Sequence, residues 1–275
     1  MLDRYNRNIT YLRISVTDRC NLRCIYCMPE DGVRLLPKKE ILSLEEIAEV
    51  VKVGAELGIK KVRLTGGEPL VRKGIVNLVE MMSRIEGIEE ITMTTNGVLL
   101  PKFAKPLKKA GLKRINISLD SLVPGQYESI TRGGNLQNVF RGIEAAKNAG
   151  LTPIKINVVK LSDGTNQQTD LIKKFSTDEG VQVRFITQMD LQSGGFSQVE
   201  GGDGGNCVIC NRLRLTANGM IKPCLFSEKE FSIKEHGIEK AFLKALNVKP
   251  KKGAVNQIGS FITSVDDIAL RLCES

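Results

Sequence analysis

The segment "YLRISVTDRCNLRCIYC", residues 11–27, joins a strand pattern to three closely spaced cysteines. Apolar Leu, Ile and Val alternate with polar residues over its first seven positions, which is typical of a strand with one buried face. Cys20, Cys24 and Cys27 follow, separated by three and then two residues. Because parallel barrels carry their chemistry at the carboxyl ends of strands, this position predicts a functional site.

Five further β-branched runs follow along the chain, and helical segments separate them. The predicted strands cover residues 60–66, 90–96, 114–120, 154–159 and 181–187. The predicted helices cover residues 43–58, 74–85, 101–110, 135–149 and 166–176. Ser43 and Glu46 form a capping-box pattern at the start of the first helix. Strict alternation of strands and helices predicts a parallel sheet, either doubly wound or closed as a barrel.

Polar side chains recur at every second position of the predicted strands. They include Arg13, Lys61, Arg63, Thr94, Lys155 and Arg184. Under the helices of a doubly wound sheet such a face would cost free energy, whereas inside a barrel it can surround a polar ligand. We therefore predict an α/β fold in which six β/α units form a barrel that holds a polar ligand, and its cations favour a phosphate or carboxylate.

Composition limits the classes of partner. The formal net charge of +9 and the pI near 9.2 favour an anionic partner. Since Trp is absent and aromatic residues make up only 5%, we expect a small anion and no nucleic acid. No apolar run approaches the roughly 18 residues of a membrane span, and the first residues lack the apolar core of a secretion signal. We therefore expect a cytoplasmic protein with no membrane partner.

The alternating pattern stops after residue 190. The stretch "LQSGGFSQVEGGDGGN", residues 191–206, is typical of a flexible connection. We therefore predict a barrel over residues 1–190 and a C-terminal region over residues 191–275. After the connection, the latter carries a second cysteine group, Cys207, Cys210 and Cys224.

Each cysteine group is one ligand short of a closed zinc site. His236 is the only histidine and lies far from the first group in sequence, which disfavours zinc there. Three thiolates on a four-iron cluster leave one iron open for a substrate or cofactor. At the second group a zinc site or a closed accessory cluster, completed by Cys273 or His236, remains an alternative to a second open cluster.

The segment "CNLRCIYC" resembles the CxxxCxxC signature of the radical S-adenosylmethionine (SAM) enzymes, and "TGGEP", residues 65–69, resembles their second motif. More narrowly, "LRISVTDRCNLRCIYCMPEDGV", "VRLTGGEPLVR" and "CNRLRLTANGMIKPCLF" resemble the molybdenum cofactor biosynthesis protein A family, the GTP 3′,8-cyclases. This resemblance implies an α/β fold, a partial (β/α)6 TIM-like barrel of the radical SAM type with a small C-terminal cluster-binding extension. It also implies two 4Fe-4S clusters and SAM as cofactors.

The same resemblance assigns roles to residues. It implies that the clusters are held by Cys20, Cys24, Cys27, Cys207, Cys210 and Cys224. It implies that SAM is bound by Tyr26, Gly66, Gly67, Glu68, Ser118 and Met189. It implies that GTP is surrounded by Arg13, Lys61, Arg63, Thr94, Lys155, Arg184, Arg212 and Arg214. It also implies that the catalytic residues are Cys20, Cys24, Cys27, Arg212 and Arg214.

The implied activity is that of a lyase that joins C3′ of the ribose of GTP to C8 of guanine, in the first step of molybdenum cofactor biosynthesis. An electron donor such as flavodoxin or ferredoxin is expected, and a homodimer is one possible assembly. A radical SAM enzyme acting on another nucleotide or a peptide, and a zinc-containing nucleic-acid binder, are the alternatives.

Two departures from the family pattern bear on the implied activity. The interval from Arg184 to Cys207 is shorter than in the family, and "FITSVDDIALRLCES" stands where the family carries a Gly-Gly tail. We expect from these departures that nucleotide binding outlasts cyclisation.

Overall fold

The computed structural model describes residues 1–160, 166–188 and 197–253. Within them, nine strands form one sheet. The strands are β1 Tyr11–Ser15, β2 Lys61–Thr65, β3 Glu90–Thr95, β4 Arg114–Ser118, β5 Lys155–Lys160, β6 Gln182–Thr187, β7 Arg212–Leu215, β8 Met220–Lys222 and β9 Phe231–Ser232. The helices are α1 Leu44–Glu56, α2 Ile75–Ser83, α3 Leu100–Ala110, α4 Pro124–Thr131, α5 Leu136–Asn148, α6 Asn166–Glu179, α7 Ile233–His236 and α8 Ile238–Asn247.

The first six strands confirm the predicted parallel sheet. The strand order is β6-β5-β4-β3-β2-β1-β7-β8-β9, and every neighbouring pair from β6 to β7 is parallel. All five predicted helices are present within a few residues of their predicted bounds. At the start of α1, the Ser43 hydroxyl accepts from the backbone N–H of Glu46, whose carboxylate accepts from the N–H of Ser43, which confirms the capping box.

The sheet curves so that its polar face surrounds a lumen. Arg184 on β6 lies close enough to Tyr11 on β1 and Arg212 on β7 for their charges to influence one another. Across a flat sheet, β6 and β1 would be separated by five strand spacings, roughly 24 Å at about 4.8 Å each. Their proximity therefore requires the strands to bend around a common interior, as in a partial barrel.

The opposite face of the strands packs against the helices. Its fully buried members include Leu12, Ile14, Val62, Leu64, Ile115 and Ile117. They alternate along the strands with the polar residues of the lumen, such as Arg13 between Leu12 and Ile14. Burying these apolar side chains stabilises the fold and fixes the register, since a slip of one residue would turn the arginines into the apolar core.

The C-terminal region continues the same sheet. β7 pairs in parallel with β1, so Tyr11 lies opposite Arg212 and Arg13 opposite Arg214. Part of the predicted flexible connection is also tied to the barrel, since Phe185 on β6 and Glu200 exchange two backbone hydrogen bonds of 3.0 Å. The division at residue 190 stays a prediction. None of the described helices is both long and apolar enough to cross a membrane.

Candidate active site

The first cysteine loop lies at the carboxyl end of β1. The backbone N–H groups of Cys27 and Met28 both donate to the Cys24 carbonyl oxygen at 2.9 Å, which forms a tight turn. The N–H of Ile25 donates to the Ile130 carbonyl at 2.9 Å and ties the loop to α4. Cys20, Cys24 and Cys27 are all half-buried, and the loop places them at the mouth of the barrel.

The glycines of "TGGEP" are required by a close backbone approach. The N–H of Gly67 donates to the Thr17 carbonyl at 2.8 Å, and that of Glu68 to the Arg19 carbonyl at 2.8 Å. A Cβ atom would lie 2.4 Å from the Thr17 oxygen at Gly66 and 2.3 Å from the Arg19 oxygen at Gly67. Any larger side chain would therefore separate this motif from the segment that leads into the cysteine loop.

Glu68 links the ends of β2 and β3. Its carboxylate accepts from the Leu70 N–H at 2.9 Å, the Thr95 hydroxyl at 2.7 Å and the Asn96 N–H at 2.7 Å. Burial raises the pKa of Glu68 to about 7, although these hydrogen bonds oppose the rise. Glu68 is thus engaged by the protein itself, and its contact with SAM stays a prediction.

Tyr26 is held by a carboxylate to which sequence reasoning gave no role. The Tyr26 hydroxyl donates to Asp120 Oδ2 at 2.6 Å, and Asp120 Oδ1 accepts from the Val159 N–H at 2.8 Å. Burial raises the pKa of Asp120 to about 6, against the effect of both hydrogen bonds. Asp120 follows β4 on the alternating polar face, and this position was the only sequence signal for it. The pair fixes the cysteine loop to the ends of β4 and β5.

Arginines form an in-register row across the lumen. Arg13 on β1 lies opposite Arg63 on β2 and opposite Arg214 on β7, and all three are almost completely buried. Burial, followed by repulsion from Arg212, lowers the pKa of Arg214 to about 10. Burial and repulsion from Arg184 and other cations likewise lower the pKa of Lys155 to about 8. The concentration of positive charge favours an anionic ligand.

Glu90 supplies negative charge at the edge of this group. It pairs with Lys61 at 2.9 Å and with Arg114. Although partial burial raises the pKa of Glu90, hydrogen bonds from Arg114 and Lys61 lower it to about 2 overall. Lys61 is therefore shared between this carboxylate and the lumen.

Tyr11 is a lumen residue that sequence reasoning missed. Its ring lies under Lys61 and Arg63, whose charged groups are 5.1 and 5.7 Å from the ring centroid. The side chain is 7% exposed, and its hydroxyl has no hydrogen-bond partner among the described residues. Burial raises the pKa of Tyr11, but the surrounding arginines outweigh it and lower the pKa overall. Its place on the same face as Arg13, two residues earlier, was the available signal.

The second cysteine group lies at the opposite end of the barrel. Cys210 precedes the amino end of β7, and Cys224 follows β8, which runs antiparallel to β7 and returns the chain to the same end. Burial raises the pKa of the Cys210 thiol, but Lys249, Arg212 and Arg214 outweigh it and lower the pKa to about 6. This environment favours the thiolate, the form that binds metals.

The donor sets fit iron–sulfur clusters better than zinc. In the described ranges no group of three or more Cys, His, Asp or Glu side chains is arranged to hold a metal ion. A four-iron cluster binds each thiolate through a different iron, so the thiolate sulfurs lie farther apart than those bound to a single ion. The ring of His236 contacts Lys244 and Phe231 rather than a cysteine. Met189 and Cys273 lie outside the described residues.

Known proteins identify the family. Residues 14–175 match the model of the radical SAM superfamily. The GTP 3′,8-cyclase of Thermodesulfovibrio yellowstonii is 44% identical, over 91% of this chain and 95% of that protein. The chain belongs to the GTP 3′,8-cyclase family. The GTP 3′,8-cyclase of Petrotoga mobilis is 43% identical to this family member, over 91% of this chain and 94% of that protein.

Solved structures show the fold of this cyclase family member. The structure described as native anSMEcpe with bound AdoMet has a TM-score of 0.66 at 16% identity, and covers 88% of this chain and 81% of that one. Streptococcus suis SuiB bound to S-adenosylmethionine has a TM-score of 0.61 at 16% identity, and covers 97% and 72%. The predicted radical SAM fold is confirmed, as are SAM and one 4Fe-4S cluster as cofactors.

Proposed function

We propose that the protein converts GTP into a 3′,8-cyclised nucleotide, the first step of molybdenum cofactor biosynthesis. The row of buried arginines, Arg63, Arg13 and Arg214, is the observation that carries this proposal. Guanidinium groups crowded on one face repel one another, and a triphosphate supplies both negative charge and acceptor oxygens to them. The names of the curated relatives supply the particular nucleotide and product.

The two cysteine groups stand at opposite ends of this row. β1 and β7 are parallel, so Cys20 lies beyond their carboxyl ends and Cys210 beyond their amino ends. The four residue steps from Tyr11 to Ser15 alone span about 13 Å at about 3.3 Å per residue. We infer that SAM occupies the first end, guanine the second end and the triphosphate the arginine row between them.

The first end holds SAM in this proposal. Cys20, Cys24 and Cys27 hold a 4Fe-4S cluster, which supplies the electron that cleaves the sulfonium of SAM. The SAM-binding residues are Tyr26, Gly66, Gly67, Glu68, Ser118 and Met189. The hydrogen bond between Tyr26 and Asp120 holds the tyrosine beside the cysteine loop.

The second end holds the guanine base. Cys207, Cys210 and Cys224 hold a second 4Fe-4S cluster, and Arg212 and Arg214 project into the lumen from β7 beside it. The Cys210 environment supports this assignment, because the neighbouring cations favour a thiolate and a negatively charged cluster.

Further polar side chains complete the substrate site, namely Lys61, Thr94, Lys155 and Arg184. The Thr94 hydroxyl and the Nε of Arg184 are buried and lack a hydrogen-bond partner within the described part of the chain. Buried polar atoms without protein partners are costly unless a ligand or water pairs with them. A nucleotide in the lumen would supply those partners.

Residues 1–190 form the barrel, and residues 191–275 carry the second cluster and part of the substrate site. An electron donor such as flavodoxin or ferredoxin reduces the first cluster, whose cysteine loop stands at the barrel mouth. A homodimer is the proposed assembly.

Anaerobic reconstitution followed by assay with SAM and a panel of nucleotides tests the proposed function. We expect two clusters, about eight irons per chain, and conversion of GTP in preference to ATP, CTP and UTP. Triple Ala variants of each cysteine group should each lose about half of the iron. Zinc in place of iron, or no conversion of GTP even when a peptide ending in Gly-Gly is supplied, would refute the proposal.

A further inference from the structure

Lys249 contacts both chain segments that carry the second cysteine group. It lies two residues after α8 and is 1% exposed. Its Nζ donates to the carbonyl oxygen of Arg212 at 2.7 Å and to that of Pro223 at 2.8 Å, and lies 3.6 Å from the Sγ of Cys210. Arg212 follows Cys210 by two residues, and Pro223 directly precedes Cys224. One ammonium group thus joins two cysteine-bearing segments.

Sulfur is the partner of Lys249 that can carry a full negative charge. Among the described contacts of its Nζ, the carbonyl oxygens of Arg212 and Pro223 are neutral acceptors, whereas the Cys210 Sγ at 3.6 Å can ionise. A buried cation is costly without a partner of opposite charge, and carbonyl oxygens supply only dipoles. The site is therefore built for an anionic centre at the cysteines.

Arg7 provides a comparison within the same region. It donates to the Cys207 carbonyl at 2.8 Å and to the Pro250 carbonyl at 2.7 Å, and it pairs with Asp3 at 2.6 Å. Arg7 therefore supports the backbone around the first cysteine of the group, but its described hydrogen bonds reach carbonyl and carboxylate oxygens rather than sulfur. A comparison of Arg7 with Lys249 therefore distinguishes a cation that only supports the backbone from one that also contacts a ligand sulfur.

We propose that Lys249 is a positioning residue of the second cluster, which locks the Cys210 and Cys224 segments together and raises the cluster's reduction potential through its contact with the Cys210 sulfur. The inference rests on the second cluster of the proposed function. Reduction adds one electron to the centre, and a nearby ammonium that donates toward a ligand sulfur stabilises the more negative reduced state. The electron comes from the external donor, and no bond to Lys249 forms or breaks.

The test uses the full chain with Cys20, Cys24 and Cys27 changed to Ala, so that only the second cluster remains. This parent is compared with Lys249→Met, Lys249→Gln and Arg7→Met in the same background. The measurements are iron content, the EPR spectrum and the midpoint potential in a redox titration. Gln keeps a neutral donor and so preserves folding if Met does not.

Both Lys249 variants should lower the midpoint potential, by about 59 mV for a tenfold change in the one-electron equilibrium. Arg7→Met should leave it close to the parent value. Equal potentials in the parent and in both Lys249 variants would overturn the inference, as would an equal shift in Arg7→Met. Absence of iron in the parent would instead refute the second cluster, and the inference with it.

Discussion

Replacing Tyr11 with Phe tests whether the lumen is shaped for a ligand rather than for the stability of the empty protein. The Tyr11 hydroxyl is buried among cations and has no hydrogen-bond partner in the described ranges. Burying a hydroxyl without a partner costs about 1–3 kcal/mol in proteins. Tyr11→Phe should therefore increase the free energy of unfolding of the ligand-free protein by about 1 kcal/mol.

The same substitution should weaken nucleotide binding. A hydrogen bond to a charged phosphate contributes about 1.5–3 kcal/mol, so its loss should raise the Kd for GTP about tenfold or more. Urea unfolding of the ligand-free protein and calorimetric titration with GTP measure the two effects. A gain in stability together with a loss of affinity for GTP distinguishes a ligand-binding hydroxyl from a structural one.

Tyr127 provides a matched control. Its hydroxyl is also buried without a hydrogen-bond partner in the described chain, but it lies on α4, outside the arginine row. Tyr127→Phe should produce a similar gain in stability and no change in the Kd for GTP. Destabilisation by Tyr11→Phe, or an unchanged affinity for GTP, would refute the reasoning.

Lys155→Met should weaken GTP binding in equilibrium dialysis and leave the iron content unchanged, because Lys155 faces the lumen and not a cysteine group; equal binding would contradict its role. Glu90→Gln should lower the free energy of unfolding at pH 7. Because the pKa of Glu90 is lowered to about 2 in the folded state, the variant should also lose less stability than the wild type as pH falls from about 4.5 to about 2. Urea midpoints that change in parallel with pH in both proteins would argue against the ion pairs. The folded state binds the proton of Asp120 more tightly than the unfolded chain, since its pKa is raised to about 6, so the wild type should lose stability as pH rises from about 4 to about 6. Asp120→Asn should remove this decline. A variant with the wild-type pH profile would show that Asp120 is not the group responsible.

Much of the barrel was predictable because its signals are local. Alternation along β1 placed Arg13 on a polar face from neighbouring residues alone, and Ser43 with Glu46 marked the start of α1 three positions apart. The spacing of Cys20, Cys24 and Cys27 likewise predicted a metal site, because ligands on one short loop share a site by chain connectivity. The short helix α4 was missed because its eight residues include few apolar side chains at helical spacing.

The arrangement across strands was decided only by the tertiary structure. No local pattern pairs Arg13 with Arg214 on β7, or shows that β7 joins the edge of the barrel beside β1. Lys249 is an ordinary lysine after a helix in the sequence, yet folding brings its Nζ to a cysteine 39 residues earlier in the chain. Sequence periodicity determined which side chains face inward, because successive side chains of a strand point to opposite faces of the sheet. Packing of distant segments decided which of those side chains meet, because hydrogen bonds and charge interactions depend on distance in space.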